Sequence, residues 1–221
     1  MIIIVVGNIG SGKSLTIIKE IIGRGNFCHI NFKVYGLPHN RIKWEHLIQQ
    51  GEKKSDSRVN FGFWQQETKK HPFDIYLDEF HNVMSSRRSI SKKNVLLSDW
   101  LSQIRKILGQ SEKYNLYLLT QKLRRIDINS RDLAQCVILC QKQLFHEIQI
   151  PTVVIEKGKR IIKKLPLCVI YKQYFPDADS LSNFEIWGSG KPFKITRFIA
   201  NDYYQYYDSY EIIDFGEGEY V

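Results

Sequence analysis

The chain begins MIIIVVGNIGSGKS, residues 1 to 14, and this stretch decides the fold. Residues 1 to 6 are a short, continuous apolar run rich in Ile and Val, which is typical of a strand buried on both faces of a parallel sheet. Residues 7 to 14 match the pattern GxxxxGKS, and residues 14 to 22 follow with the apolar spacing of a helix. This order of strand, glycine-rich loop and helix predicts a phosphate-binding loop at a helix N-terminus.

Each part of the glycine-rich loop has an expected role. The glycines permit backbone angles and a close approach to phosphate that side chains would block. Lys13 would reach the β- and γ-phosphates of a nucleotide, and the Ser14 hydroxyl would coordinate Mg²⁺. The pattern therefore predicts a nucleotide site made of Gly7, Asn8, Ile9, Gly10, Ser11, Gly12, Lys13 and Ser14.

An acidic pair follows the apolar run Phe73 to Leu77. Asp78 offers a carboxylate for Mg²⁺, and Glu79 offers one that can activate a water molecule. Acidic pairs also begin helices or lie in solvent, but the phosphate-binding loop favours the catalytic interpretation. Because a base aimed at water favours transfer to water, Glu79 indicates a hydrolase. A small-molecule kinase remains the alternative enzyme class.

Gln121 ends a predicted strand, Asn115 to Thr120. A parallel sheet would bring it to the same edge as the glycine-rich loop and Asp78. Its amide could hold the γ-phosphate or the attacking water, and a plain polar strand end is the alternative. His81 is the histidine nearest the acidic pair, and we expect it to lie behind the site rather than in contact with the substrate.

A cation at the γ-phosphate is also expected, and a neighbouring subunit can supply it. Arg87 follows Glu79 by eight residues, and Arg105 lies late in the helix predicted before the Gln121 strand. Each could instead be a surface or DNA-contacting arginine. The other candidates are Arg88, Arg124, Arg125 and Arg131.

Strands and helices alternate over residues 1 to 140, which predicts an α/β fold with a mostly parallel, RecA-like sheet. Residues 143 to 175 and 193 to 199 alternate β-formers, with a hairpin turn expected at Glu156 to Lys159. These segments predict antiparallel strands that extend the sheet. Further predicted elements are a strand at 27 to 32, helices at 42 to 50, 95 to 108 and 129 to 135, a loop at 51 to 60 and a strand at 136 to 140.

Charge is divided unevenly along the chain. The net charge is +9, but residues 202 to 221 hold six acids and no Lys or Arg. Residues 1 to 201 therefore hold 32 basic and 17 acidic residues, a net charge of +15. This balance predicts one basic domain, 1 to 201, with a core at 1 to 142 and a β-rich extension at 143 to 201, followed by an acidic, tyrosine-rich tail.

A basic body is typical of a protein that binds a polyanion, although an ordinary basic surface is the alternative. The candidates for DNA-backbone contacts are Lys92 and Lys93, Lys122 to Arg125, and Lys157 to Lys164. No apolar run approaches the roughly 18 to 20 residues that cross a bilayer, so we expect no transmembrane segment. The cysteines, Cys28, Cys136, Cys140 and Cys168, lack CxxC spacing, which predicts buried free thiols rather than zinc ligands.

Together these motifs resemble the FtsK/HerA superfamily of DNA-pumping ATPases. The resemblance covers residues 1 to 142 and depends on GNIGSGKS, FDIYLDEFHNVMSSR, LSDWLSQIRKILGQ and NLYLLTQ. It is strongest to the genome-packaging ATPases of membrane-containing icosahedral viruses, including archaeal viruses. The zonula occludens toxin-like assembly ATPases of filamentous phages share much of the signature.

The resemblance implies ATP as the substrate, with Lys13 and Ser14 at the phosphates and Mg²⁺, Asp78 at Mg²⁺, Glu79 as the base and Gln121 as the sensor. It also implies an arginine finger between subunits of a ring, to which both Arg87 and Arg105 can be matched.

The leading hypothesis is an ATP-driven motor that translocates double-stranded DNA and packages a viral genome into a preformed capsid. It would act as a hexameric or pentameric ring with a capsid or vertex protein as partner, in the host cytoplasm or the virion. The alternatives are a phage assembly or extrusion ATPase and, after it, a small-molecule kinase.

Overall fold

The computed structural model describes residues 1–51, 56–83, 92–108 and 113–208. Within them the chain forms an eight-stranded mixed sheet and a small two-stranded sheet. The strands are β1 (Ile2–Val6), β2 (Phe27–Ile30), β3 (His39–Arg41), β4 (Ile48–Gln49), β5 (Arg58–Val59), β6 (Phe73–Leu77), β7 (Leu116–Thr120), β8 (Cys136–Glu156), β9 (Lys159–Phe175) and β10 (Lys194–Ile199).

Helices cover both faces of the large sheet. They are α1 (Lys13–Arg24), α2 (Trp44–Leu47), α3 (Phe61–Lys70), α4 (Phe80–Val83), α5 (Lys92–Leu108), α6 (Ile128–Asp132) and α7 (Ala178–Trp187), with 3₁₀ turns at Leu123–Arg125 and Asn201–Tyr206. None of the helices in the described ranges combines the length and the apolar character needed to cross a membrane.

The strand order of the large sheet is β10-β9-β8-β1-β7-β6-β2-β3. All the pairs from β8 to β3 are parallel, and β7 lies between β1 and β6. In this register Val6 is opposite Thr120, and Leu77 is opposite Leu118. The carboxyl ends of β1, β7 and β6 therefore meet at one edge of the sheet.

Two cores hold this arrangement together, one on each face. Every residue of β1, β6 and β7 is buried, which explains why these strands are mostly apolar. Asp74 of β6 and Thr120 of β7 are the buried polar residues among them. On one face, Ile17 and Ile18 of α1 pack against the sheet. On the other, Trp64 of α3 and Trp100 of α5 are fully buried, with ring centroids 5.9 Å apart.

Strand β8 leaves the parallel sheet and continues into a long antiparallel hairpin with β9. The pairing shifts between Phe145 and Gln149, so residues 146–148 form a bulge in β8. The extension is attached to α1 by a partly buried ion pair, in which Lys172 Nζ lies 2.7 Å from Glu20 Oε1. The first residues of the acidic tail also belong to the packed body, since Tyr203, Tyr206 and Tyr207 pack on the α1-side core. Residues 209–221 lie outside the described residues.

The predicted α/β fold is confirmed, including the antiparallel strands after residue 143 and the hairpin turn, which falls at residues 157–158. The predicted helix over 42–50 was wrong in extent. Its helical part is α2 alone, because Ile48 and Gln49 pair with β5 as a strand instead. The predicted loop at 51–60 therefore contains β5, and residues 52–55 are outside the described ranges.

Sequence patterns missed helices α3 and α7. Gly62 and three aromatic residues open α3, and such residues are weak helix formers. The sequence signals for these two helices were their N-cap residues. The side chain of Asn60 accepts a hydrogen bond from the Phe63 N–H at 3.2 Å, and that of Asp177 accepts one from the Ser180 N–H at 2.7 Å. The four cysteines are free and buried, as expected. Burial raises the pKa of Cys28 to about 12, so this thiol stays protonated and unreactive.

The buried His29 predicts how stability depends on pH. Burial lowers the pKa of this fully buried imidazole to about 4, although Glu67, 3.2 Å away, opposes the shift. The unfolded chain binds this proton near pH 6.5, so protons favour unfolding between about pH 6.5 and 4. As the pH is lowered through this window, the free energy of unfolding should fall by up to about 1.4 kcal/mol per pH unit.

Urea denaturation of the wild type and His29→Gln at several pH values measures this contribution. Gln is polar and close to His in size but cannot titrate, so the variant should show a shallower decline. An identical decline in both proteins would contradict the assignment.

Candidate functional site

The loop between β1 and α1 has the backbone of a phosphate cradle. Gly10 and Gly12 have φ angles of 76° and 90°, in the left-handed region that favours glycine. A Cβ on Gly12 would lie 2.4 Å from Ile170 Cδ1, so no larger residue fits against the extension. Helix α1 then begins without a side-chain cap, which leaves its first N–H groups available to an anion.

Lys13 lies inside this loop rather than in solvent. Its side chain is buried, and its ammonium donates to the carbonyl oxygens of Gly7 at 2.9 Å and Asn8 at 3.2 Å. The Ser11 hydroxyl is buried with no hydrogen-bond partner. The loop therefore holds a cation and a donor where a phosphate chain would provide acceptors.

Asp78 lies opposite the start of α1. The Ser14 hydroxyl donates to Asp78 Oδ2 at 2.9 Å, so the two predicted Mg²⁺ ligands are in direct contact. Burial raises the pKa of Asp78, although hydrogen bonds from the Glu79 N–H and Ser14 counteract this. The fully buried Asn31 fixes the Asp78 backbone, because it accepts from the Asp78 N–H at 2.7 Å and donates to its carbonyl at 2.9 Å. These paired oxygens are of the type that Mg²⁺ prefers.

Glu79 adopts a strained backbone at the end of β6. Its φ is 49°, a conformation that costs a non-glycine residue about 1 to 3 kcal/mol and is often found at functional sites. Its carboxylate is partly exposed and accepts from the Gln121 amide, with both oxygens 3.3 Å from Nε2. The ends of β6 and β7 are therefore joined through these two side chains.

Arg125 fixes the orientation of Gln121. Its Nη1 donates to Gln121 Oε1 at 2.8 Å, so the amide oxygen is occupied and the NH₂ group faces Glu79. The same Nη1 lies 3.1 Å from His81 Nε2, which is also 3.2 Å from Glu79 Oε2. If Nε2 carries the proton, His81 can donate a hydrogen bond to the Glu79 carboxylate. If Nε2 is unprotonated, it can accept a hydrogen bond from the Arg125 guanidinium.

Electrostatics at His81 favour its neutral form. Burial lowers the pKa of His81, and the charges of Arg125 and Lys13 add to this effect, whereas Glu79 opposes it. The ring therefore keeps a single proton near neutral pH. His81 therefore contacts the Glu79 carboxylate and the Arg125 guanidinium.

The structure brings together Lys13, Ser14, Asp78, Glu79 and Gln121, all of which the sequence predicted as site residues. Arg105 is exposed on α5. Burial lowers the pKa of the Met1 ammonium at the amino end of β1, and the charges of Arg24 and Arg105 add to this shift. Arg105 is therefore on the side of the sheet where β1 begins, away from the edge where β1 and β6 end. Arg87 and Arg88 lie outside the described residues, as do the side chains of Lys92 and Lys93.

Two contributors were missed from sequence. Asn31 fell within a predicted strand, although a polar residue at a strand end in a parallel sheet is a signal of a site. Arg125 was one of several possible fingers, but it contacts Gln121 of its own chain. Its spacing of four residues from Gln121 was visible, whereas the 3₁₀ turn that folds it back was not.

A protein-family model described as zonular occludens toxin (Zot) matches residues 1–175. A search of curated proteins found no match. Among solved structures, the N-terminal domain of zonular occludens toxin from Neisseria meningitidis is 17% identical, with 90% of this chain and 92% of that chain covered and a TM-score of 0.48. B204, the DNA-packaging ATPase from Sulfolobus turreted icosahedral virus, is 16% identical, with 62% and 74% covered and a TM-score of 0.40.

The contacts of Arg125 generate a prediction for hydrolysis. Arg125→Ala should free the Gln121 amide to rotate. We expect this to lower kcat for the ATP hydrolysis predicted from sequence about tenfold, because a misplaced side chain at a reacting centre loses rate. The Michaelis constant should change much less, since the phosphate loop is untouched. Arg125→Lys should recover part of the rate. Phosphate release measured against ATP concentration gives both constants.

Arg58→Ala removes an exposed arginine on β5, away from the site, and is the matched control. Equal rates for Arg125→Ala and Arg58→Ala would contradict a positioning role for Arg125.

Proposed function

This chain belongs to the zonular occludens toxin family, and we propose that it is an Mg²⁺-dependent ATPase which drives genome movement during phage assembly or extrusion. The observation that carries the proposal is the contact between Glu79 and Gln121 beside the phosphate loop. A carboxylate and an amide in this position can hold and activate one water molecule.

Each side chain has a defined task in this proposal. Lys13 exchanges its bonds to the Gly7 and Asn8 carbonyls for bonds to phosphate oxygens. Glu79 takes a proton from the attacking water, and Gln121 orients that water through its NH₂ group. The strained backbone of Glu79 points to a position selected for function rather than for stability.

Ser14 and Asp78 would hold Mg²⁺, and their oxygens fit this hard cation. The metal would supply positive charge that neutralises the phosphates. Asn31 would keep Asp78 in place as the metal binds, because it fixes the Asp78 backbone from both sides.

A motor that packages double-stranded DNA is the second candidate, and the basic hairpin favours it. Exposed cations lie along the β8–β9 hairpin and in its turn: Lys142, Lys157, Lys159, Arg160, Lys163 and Lys164. B204 is described as a DNA-packaging ATPase. In either role we propose a homo-oligomeric ring, hexameric or pentameric, in which a neighbouring subunit contributes a finger such as Arg87 or Arg105. A capsid or vertex protein would be the partner, in the host cytoplasm or the virion.

Hydrolysis is tested by Glu79→Gln. The amide keeps the shape of the side chain but cannot accept the proton, so kcat for ATP should fall at least about 100-fold. Affinity for ATP with Mg²⁺ should stay close to that of the wild type. Phosphate release and equilibrium nucleotide binding measure the two effects.

Lys13→Ala is the companion variant, and it should lose binding as well as turnover. A fully active Glu79→Gln protein would refute the proposal. Phosphorylated metabolite without free phosphate in the wild type would identify a kinase instead.

DNA as a partner is tested by Lys159→Glu with Lys164→Glu. If both lysines contact phosphates, the plot of log K for DNA against log salt should become less steep, with the magnitude of its negative slope smaller by about two. The matched control is Lys69→Glu with Lys106→Glu, two exposed lysines on α3 and α5. Binding measured from low to high salt gives the slopes. Equal slopes in both double variants would exclude the hairpin as the DNA contact. A rate of ATP hydrolysis that does not rise when DNA is added would weigh against a DNA motor.

A further inference from the structure

His81 lies on α4, between the proposed base Glu79 and the arginine that orients Gln121. Its ring nitrogens have three polar neighbours. Nε2 is 3.2 Å from Glu79 Oε2 and 3.1 Å from Arg125 Nη1, and Nδ1 is 3.4 Å from Thr120 Oγ1. A neutral imidazole has one proton, so the contacts it makes depend on which nitrogen carries that proton.

Thr120 decides which nitrogen this is. Its hydroxyl lies 3.2 Å from the carbonyl oxygen of Lys122, which can only accept a hydrogen bond. The hydroxyl has a single proton, so donation to Lys122 leaves Thr120 Oγ1 as an acceptor towards His81 Nδ1. Thr120 is fully buried, where an unmade hydrogen bond is costly. The proton of the neutral ring therefore belongs on Nδ1, and Nε2 is bare.

Arg125 supports the same assignment. Its Nη1 carries two protons, of which one is donated to Gln121 Oε1 at 2.8 Å. A bare His81 Nε2 accepts the other, whereas a protonated Nε2 would place two donors against each other at 3.1 Å. The guanidinium is thus held by Gln121 and by His81 together, and its position fixes the amide that faces Glu79.

A second proton on the ring reverses these contacts. In the neutral ring Nε2 and Glu79 Oε2 are both acceptors, so their contact becomes a hydrogen bond only when one of them is protonated. An imidazolium has no lone pair for Arg125 and donates to Glu79 instead. Arg125 then loses one partner, and the carboxylate is engaged in an ion pair when it should accept a proton from water.

We infer that His81 is a positioning residue that holds Arg125, and through it Gln121, while the ring is neutral, and that engages the Glu79 base when the ring is protonated. The effect on turnover rests on the proposed function. The position of the ring proton does not, because it can be measured without nucleotide.

Acid should therefore lower turnover through His81. The charged groups that act on its ring are Glu79 at the end of β6, Arg125 in the 3₁₀ turn and Lys13 of α1. Burial and the two cations hold the pKa of His81 below its ordinary value of 6.5, against the effect of Glu79. The ring is thus neutral at pH 7, and kcat should be lost as the pH falls through this lowered pKa.

Rates of ATP hydrolysis measured against pH test the switch. His81→Gln keeps a carbonyl oxygen that can accept from Arg125 but cannot titrate. Its kcat near pH 7 should stay within about threefold of the wild type and should decline only at a lower pH. His81→Phe keeps a ring without an acceptor, so kcat should fall about tenfold while the Michaelis constant changes little.

His46→Gln is the matched control for these rates. His46 lies on α2, and burial lowers its pKa too, although Glu45 opposes the shift. If the acid loss of turnover belongs to His81, the pH profile of His46→Gln should be that of the wild type.

Nuclear magnetic resonance of protein labelled with ¹⁵N in its histidines tests the ring proton directly. The His81 signals are those that disappear in His81→Gln. Near pH 7, Nδ1 should have the chemical shift of a protonated nitrogen and Nε2 that of a bare one.

A proton on Nε2 near pH 7 would overturn the inference, as would the same acid loss of turnover in His81→Gln as in the wild type. Both results leave the proposed ATPase standing. A wild type that does not hydrolyse ATP would instead remove the proposed function, and the role of His81 in turnover with it.

Discussion

The parallel pairing of β7 between β1 and β6 is the constraint on which the rest of the site depends. It brings three strand ends to one edge, so the residues that follow them become neighbours although they lie far apart in the chain. The contact of Ser14 with Asp78 and the contact of Gln121 with Glu79 exist because of this order. Every residue in the three strands is buried, so a slip in register would disrupt the packing on both faces of the sheet. The packing therefore fixes the register, and with it the position of the side chains that follow each strand.

The same edge concentrates conformations and charges that do not favour folding. Glu79 has a strained φ, Asp78 is a buried carboxylate, and Lys13 is a buried ammonium held by carbonyls. Asn31 holds the backbone of Asp78, and His81 contacts the Glu79 carboxylate. Arg125 in turn holds His81 and Gln121. The site is thus preorganised by neighbours that do not themselves touch the phosphate loop.

Sequence predicted the parts of this site that depend on local rules. The loop, its lysine and the acidic pair follow a short pattern with a fixed strand before it, and Gln121 follows from the edge at which parallel strands end. Asn31, Arg125 and α7 could not be placed, because their roles depend on contacts across the chain. For the same reason the strand predicted at 136 to 140 ended at Cys140, whereas pairing with β9 carries β8 on to Glu156. The family is that of zonular occludens toxin, one of the two groups whose signature the motifs resemble.

The central claim is that the ends of β1 and β6 form one site for Mg²⁺ and nucleotide. The most direct test measures the affinity for a slowly hydrolysed ATP analogue with and without Mg²⁺, in the wild type and in Asp78→Asn. We expect Mg²⁺ to tighten binding in the wild type and to have little effect in the variant, while the affinity without Mg²⁺ is similar in both. The same Mg²⁺ enhancement in Asp78→Asn would contradict the claim.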